Sequence, residues 1–406
     1  MKKIITDKQT IDKLIEDFSR TTDEVFSLEE FRKLLSSGHQ LRFKYGVDVT
    51  APDLHIGHAV NLWMYRRLQE LGHKIIFLIG DYTTQIGDPT GKSKTRPIIP
   101  IEEIQQNADA FIKQAMMVLY DDPNLVEIRR NSEWYDPMKA KDLLSLMSLV
   151  THDRLISRDM FQKRIETGQE IYENELVYPI LQGYDSVALK ADATVIGSDQ
   201  LFNEMMGRFF QEKYGEPAQV IITTKITAGI DGKGKQSKSL GNYIGLNHSP
   251  REKFGRLMSI PDTLIIDYMK VYTDVPLDEI VKIEQDLSTD PKKYKLMLAQ
   301  EIVKRYHGEK VAEEEVEWFE KTFSQKQVPD EAIPVSIGAD SASLIDILKK
   351  CFDDEKMSNN DLRRLITQNA VTIDERKAND PFELIKLSSS PLNFKVGKRN
   401  WFKVTI

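Results

Sequence analysis

The order of apolar and polar positions changes period along the chain, and the changes mark its elements. Leu41-Arg42-Phe43-Lys44-Tyr45-Gly46-Val47-Asp48 reads as a short buried strand. The run Ala59 to Leu68 has helical spacing and is expected to stop near Gly72, after which Lys74 to Gly80 is a second apolar strand. A strand, loop, helix and strand in this order predict a parallel sheet. From Pro250 the pattern turns helical. Pro250, Pro261, Pro276 and Pro291 recur at expected helix starts, and Asp290-Pro291 caps an apolar-periodic run through Tyr306. Near the end, Ser358 to Ile366 reads as a capped helix, Gln368 to Ile373 as a turn into a strand, and Phe394 to Val404 as a basic strand.

These patterns predict an α/β region over residues 1–245 with a mostly helical insertion at about 100–190, whose apolar faces include Leu143, Leu144, Leu146 and Met147. A helical bundle is expected over 246–324. A linker over 325–340 follows, signalled by Gln325 to Pro334, and then a small α+β module over 341–406.

Composition narrows the setting. With 406 residues, 40% of them hydrophobic, the chain can bury a large core. Its one cysteine, Cys351, permits no internal disulfide and points to a reducing compartment. Met1 to Lys8 lacks the apolar core of a signal peptide, and no segment approaches a membrane span, so a cytoplasmic protein with no membrane partner is expected. The net charge of −7 argues weakly against RNA, because binding follows the local field. From Lys386 onward the charged residues are Lys386, Lys395, Lys398, Arg399 and Lys403, with no acid, and Phe394, Trp401 and Phe402 lie among them. By itself such a tail equally suits the solvated edge of a small β structure.

Two segments carry candidate chemistry. His55-Ile56-Gly57-His58 sits at a predicted helix start, where backbone N–H groups favour phosphate and Gly57 permits close approach. Lys235-Gln236-Ser237-Lys238-Ser239 lies in a glycine-, lysine- and serine-rich loop, suited to a pyrophosphate that gains charge as it leaves. Singly, the first also reads as capping histidines and the second as a solvated basic loop. Together they suggest a site that grips a nucleoside triphosphate from both ends. Tyr178, Gln182 and Asp185 add a polar stripe on one helix face among apolar neighbours, which points to a pocket lining.

With these residues in view, the chain resembles the class I aminoacyl-tRNA synthetases, and within them the bacterial tyrosyl-tRNA synthetases. The class signatures are H-I-G-H, complete here, and K-M-S-K-S, in which Gln236 replaces methionine while both lysines and both serines are kept. Gly87-Asp88-Pro89-Thr90-Gly91-Lys92-Ser93 resembles the family's G-D-P-S-G-K, where the aspartate holds the substrate's α-amino group. Tyr178 to Asp185 resembles its Y-x-x-x-Q-x-x-D helix, where tyrosine and glutamine contact the amino-acid backbone and the aspartate receives the phenolic hydroxyl. Gly197-Ser198-Asp199-Gln200 resembles its G-x-D-Q turn at the adenylate ribose.

The resemblance implies a Rossmann-like catalytic domain, a homodimer formed through the insertion, an anticodon-side bundle and an S4-like RNA-binding end with Arg363, Arg364, Lys395, Lys398 and Arg399. It implies L-tyrosine, ATP with Mg2+ and tRNA(Tyr) as partners, with no dedicated metal cage and no tightly bound cofactor. Activation would be in-line attack of the carboxylate on the α-phosphorus. His55 and His58 would stabilise the phosphate, and Lys235, Ser237 and Lys238 would draw off pyrophosphate. Asp48 and Thr50, matching the family's D-x-T, would support the substrate and phosphate ends, and Gly46 would line the amino-acid pocket. Many members carry a second phenol-binding tyrosine where this chain has Lys44, and some bacterial members share its K-x-G-x-D pattern, which leaves Asp185 as the hydroxyl's reader. Other readings stay open: a tryptophanyl relative, a small nucleotidyltransferase, a paralogue charging another aromatic or modified amino acid, and a non-catalytic RNA-binding paralogue.

Overall fold

A computed structural model describes residues 3–90, 99–237, 240–324, 332–352, 357–374, 376–397 and 400–406. Lys238, Lys398, Arg399, Gly91 to Ser93 and the 325–331 part of the expected linker lie outside these residues. The chain separates into two compact units, Met1–Ala312 and Glu313–Ile406.

The first unit is built on a six-stranded sheet of β1 (Thr22–Phe26), β2 (Arg42–Val47), β3 (Lys74–Ile79), β4 (Val126–Arg130), β5 (Ala193–Gly197) and β6 (Val220–Thr224). Their spatial order is β1-β6-β5-β2-β3-β4. β2 to β6 are parallel, and β1 closes one edge antiparallel to β6. The predicted strand-helix-strand unit is β2, helix Ile56–Glu70 and β3, and the helix ends before Gly72, whose φ of +92° suits a residue without a side chain. Ile75, Phe77 and Ile79 of β3 are fully buried with Leu62, Tyr65 and Leu68 of that helix. These positions form its apolar face at helical spacing, so one core explains both periods.

The connection order reverses at β2. β3 and β4 extend one way from it and β5 and β6 the other, and ligands bind at such switch points beside the carboxyl ends. β2 and β5 pair only at Phe43 with Ala193 and Lys44 with Thr194, although both strands run on. Tyr65 is the wedge. Its buried hydroxyl accepts from the Val195 N–H at 2.8 Å and donates to the Lys44 carbonyl at 2.5 Å. The pairing of the two strands therefore stops before β2 reaches Gly46 and Asp48 and β5 reaches Gly197.

The insertion expected at 100–190 is less separate than its helical pattern implied. It contains β4 of the central sheet, and it ends in helix Glu173–Leu189, which carries the polar stripe. β4 reads Val-Glu-Ile-Arg-Arg, too charged to stand out as a strand. The helices Ala140–Met147, His152–Ile156 and Asp159–Glu166 lie between. The helical region from Pro250 includes Pro250–Leu257, Ile265–Tyr272, Leu277–Asp286 and Pro291–His307. Pro250 and Pro291 occupy the first helical turn behind Ser249 and Asp290, whose side chains accept from the Glu252 and Lys293 N–H groups.

The second unit has a five-stranded sheet in which Ile333–Ser336 pairs in parallel with Asn400–Thr405. The linker expected over 325–340 thus contains an edge strand. Pro334 made it read as a linker, but at an edge a missing N–H breaks no inner ladder. Helix Asn359–Thr367 begins at Ser358, whose hydroxyl caps Asp361, and it exposes Arg363 and Arg364. Lys395 lies 4.8 Å from the Trp401 ring centre, a cation resting on an aromatic face.

Candidate active site

The two signature segments meet through backbone. The Ile56 N–H donates to the Ile244 carbonyl at 2.9 Å, the Leu246 N–H donates to Leu54 at 2.9 Å, and His55 bridges Gly245. The chain leaving the lysine loop is thereby stitched to the histidine turn. His55 and His58 stack with ring centres 3.7 Å apart, and His58 Nδ1 accepts from the His55 N–H at 3.2 Å. Gly57 suits this packing, because a Cβ there would stand 2.9 Å from His55 Nδ1 and the ring would have to shift. Lys235 is mostly exposed, with Nζ 3.6 Å from the Asp199 carboxylate. The Ser237 N–H donates to the Asn242 side chain at 2.8 Å. This end thus joins an accessible cation, Lys235, to two histidines at a helix start, a combination suited to phosphate.

Gln236 is not a neutral replacement for an apolar residue. It is buried, its amide donates to the Tyr272 hydroxyl at 2.8 Å, and its carbonyl accepts from the Ile244 N–H at 3.3 Å. Tyr272 also pairs with Thr227. The loop is therefore pinned by hydrogen bonds to helix Ile265–Tyr272.

The other end is buried and densely bonded. Helix Glu173–Leu189 turns Tyr178, Gln182 and Asp185 inward together. The Tyr178 hydroxyl donates to Asp48 at 3.0 Å, and Thr83 donates to the other Asp48 oxygen at 2.9 Å. Gly80 fits against this carboxylate, since a Cβ there would lie 2.6 Å from Asp48 Oδ1. Asp88 accepts from the Gln200 amide and from the Thr90 N–H, each at 2.9 Å. Asn203 joins Gln182 to Gln200, donating at 2.9 Å to each. Gly197 packs against Asp199, whose Oδ1 would be 2.8 Å from a Cβ. Gly46 is exposed at the end of β2, and Thr50 is half-buried in the loop beyond.

Asp185 is 3% exposed. The Trp134 indole N–H donates to one of its oxygens at 3.0 Å, and Asn131 donates to the other at 3.4 Å. Burial pushes its carboxyl up to about 7, opposed by Lys44 and by hydrogen bonds from Tyr135, Asn131 and Trp134. Burial and the neighbouring carboxylates of Asp48 and Asp88 hold the Tyr178 hydroxyl protonated, well above the usual phenol range.

Lys44 points away from solvent into this network. Its ammonium lies 2.8 Å from Glu204 and donates to Ser186 at 2.8 Å, and both charged side chains are almost fully buried. Glu204 also accepts from Gln182 at 2.9 Å and from Gln219 at 2.8 Å. Glu204, Trp134, Asn131 and Arg158 touch the candidate site's residues, and no local motif announces them, because their partners lie far away in sequence. Among the described residues, no group of three or more His, Cys, Asp or Glu is placed to hold a metal ion.

The chain is similar to known proteins in sequence and in fold. Residues 36–324 match the family described as tRNA synthetases class I (W and Y). The chain is 41% identical over 383 residues to a tyrosine-tRNA ligase of Carboxydothermus hydrogenoformans, covering 93% of each chain. It is 40% identical over 402 residues to one of Thermotoga maritima, covering 98% of each. A solved structure of a C-terminally truncated Aspergillus nidulans mitochondrial tyrosyl-tRNA synthetase shares the fold with a TM-score of 0.65 at 21% identity, covering 78% of this chain and 95% of that one. An Archaeoglobus fulgidus tyrosyl-tRNA synthetase, solved with L-tyrosine, superposes with a TM-score of 0.58 over 75% of this chain and 99% of its own, at 22% identity. Within the class I (W and Y) tRNA synthetases, the chain belongs to the tyrosine-tRNA ligase family.

Proposed function

We propose that the protein activates L-tyrosine with ATP and transfers the tyrosyl group to the 3′ end of tRNA(Tyr). The observation that carries this reading is the joining of the two signature segments through backbone, together with a buried carboxylate, Asp185, on the helix whose Tyr178 reaches Asp48 just beyond β2. The phenol would donate to Asp185, and the ammonium would sit among Asp88, Tyr178 and Gln182. The substrate carboxylate would attack the α-phosphorus in line, and pyrophosphate would leave as its oxygen takes the electron pair. No protein nucleophile is needed, so the rate rests on positioning and on charge stabilisation. His55 and His58 would meet the charge growing on the α-phosphate. Lys235 and Lys238, with Ser237, would meet the departing pyrophosphate, and Gly197, Asp199 and Gln200 the ribose. Mg2+ would arrive with ATP.

The exposed Leu144 on helix Ala140–Met147, beside buried Leu146, supports a homodimer through this region. The exposed Arg363 and Arg364 and the basic end around Lys395 support an RNA-binding, S4-like role for the last module, with 246–324 facing the anticodon arm. A single cysteine suits work in the cytoplasm. ATP-pyrophosphate exchange with each standard amino acid tests the reading. Exchange dependent on tyrosine is expected, and exchange dependent on another amino acid, or on none, contradicts it.

A further inference from the structure

Arg158 occupies the extended junction between helices His152–Ile156 and Asp159–Glu166, and its side chain crosses to the amino-acid end of the site. Its Nη2 donates to the Thr90 hydroxyl at 3.0 Å, and its guanidinium carbon lies 4.7 Å from the Phe202 ring centre. Asp88 and Tyr178 are the groups whose charge it feels most, and burial lowers its affinity for its proton. Its Nη1 is buried and has no hydrogen-bond partner among the described residues. A guanidinium stays charged and offers donors in a rigid fork, so a buried unused donor calls for an acceptor.

The substrate supplies one. An amino acid is a zwitterion whose ammonium and carboxylate are separated by a single carbon. A pocket that fixes the ammonium on Asp88 must hold the carboxylate close by. Among the described residues, two other cations of the site are engaged elsewhere: Lys44 is spent on Glu204 and Ser186, and Lys235 lies against Asp199. We propose that Arg158 binds the α-carboxylate of the amino acid, through the donor left unused beside Asp88 and Thr90, and so completes recognition of its charged backbone. This rests on the assignment of the amino-acid pocket to Asp88, Tyr178 and Gln182. Both guanidinium and carboxylate are present before reaction, so the contact strengthens ground-state binding rather than the chemical step.

L-Tyrosinol keeps the ring and ammonium of tyrosine and replaces the carboxylate with an alcohol. Equilibrium titration of the full-length protein and its Arg158→Gln, Arg158→Lys and Asp88→Asn variants with both compounds provides the test. Arg158→Gln should weaken L-tyrosine about 10- to 100-fold, the scale of a hydrogen bond to a charged group, and leave tyrosinol within about twofold. Arg158→Lys should recover part of the loss, and Asp88→Asn should weaken both compounds. In exchange kinetics, Arg158→Gln should raise KM for tyrosine with kcat little changed. Equal losses for both compounds would mean that Arg158 only props the Thr90 loop, and no loss for either would remove it from the pocket. Both results overturn the inference. If the wild type binds neither compound, or Asp88→Asn affects neither, the pocket assignment itself fails and the inference falls with it.

Discussion

The two ends of the proposed site are built on opposite principles. At the amino-acid end, Asp185, Lys44, Glu204 and Tyr178 are almost wholly buried, Lys44 paired with Glu204, Tyr178 bonded to Asp48 and Asp185 to Trp134 and Asn131. At the nucleotide end, Lys235 is mostly exposed, and His55 and His58 are half-buried over a helix start. The contrast follows the ligands. A phenol and an ammonium are present throughout binding and are read by groups fixed beforehand, where a misfit leaves a buried partner unsatisfied. A triphosphate changes its charge during reaction and needs cations that act mainly in the transition state.

If the buried network is a preset frame, breaking its ion pair has the largest effect. Lys44→Met leaves Glu204 buried without its counter-charge and should destabilise the first unit by about 3–5 kcal/mol. The double change Lys44→Met with Glu204→Gln should recover a good part of this, as followed by denaturant unfolding. Equal losses in the single and double variants would show that the pair is not coupled.

Next comes the hydroxyl reader. Asp185→Asn should reduce the preference for tyrosine over phenylalanine on the order of 100-fold in exchange assays. With its carboxyl pushed up to about 7, kcat/KM for tyrosine should climb with pH through about 7, and that for phenylalanine should not. The sign for stability is the reverse. The unfolded chain ionises Asp185 near the ordinary carboxylate value while the folded chain keeps its proton up to about 7. Stability is therefore lost as pH rises between these values, and Asp185→Asn should stabilise the protein more at pH 8 than at pH 4. A flat pH profile of the tyrosine preference would remove Asp185 from this role.

The smallest effect is expected at the pinned loop. Tyr272→Phe removes the acceptor of the buried Gln236 amide and should slow activation by an amount equivalent to about 1 kcal/mol, without changing tyrosine affinity. Adding Gln236→Met makes the contact apolar on both sides and should restore most of the rate. Additive losses would show that the two side chains act independently.

Much of the frame was legible in the sequence. The strand-helix-strand unit announced itself by its change of period, and helix Pro291–His307 by Asp290 and Pro291. β4 was hidden by its charges, and strand Ile333–Ser336 by Pro334. Within the site, residues gathered on short motifs could be named, because a helix converts spacing into a shared face. The partners of those residues could not. Trp134 reaches Asp185 across 51 positions and Lys44 reaches Ser186 across 142, and only the sheet order brings them together. Gln236 shows the same limit, because its acceptor Tyr272 lies on a helix 36 positions away.

The division of labour is tested most directly by measuring tyrosine affinity and the single-turnover rate of adenylate formation in His58→Ala and Asp185→Asn side by side. The account predicts that His58→Ala slows adenylate formation about 100-fold or more with tyrosine affinity nearly unchanged, because its contact forms as charge grows on the phosphate. Asp185→Asn should do the opposite, weakening tyrosine far more than it slows the step from bound substrates. If both variants lose affinity and rate in the same proportion, the two ends of the site do not work separately and the account is wrong.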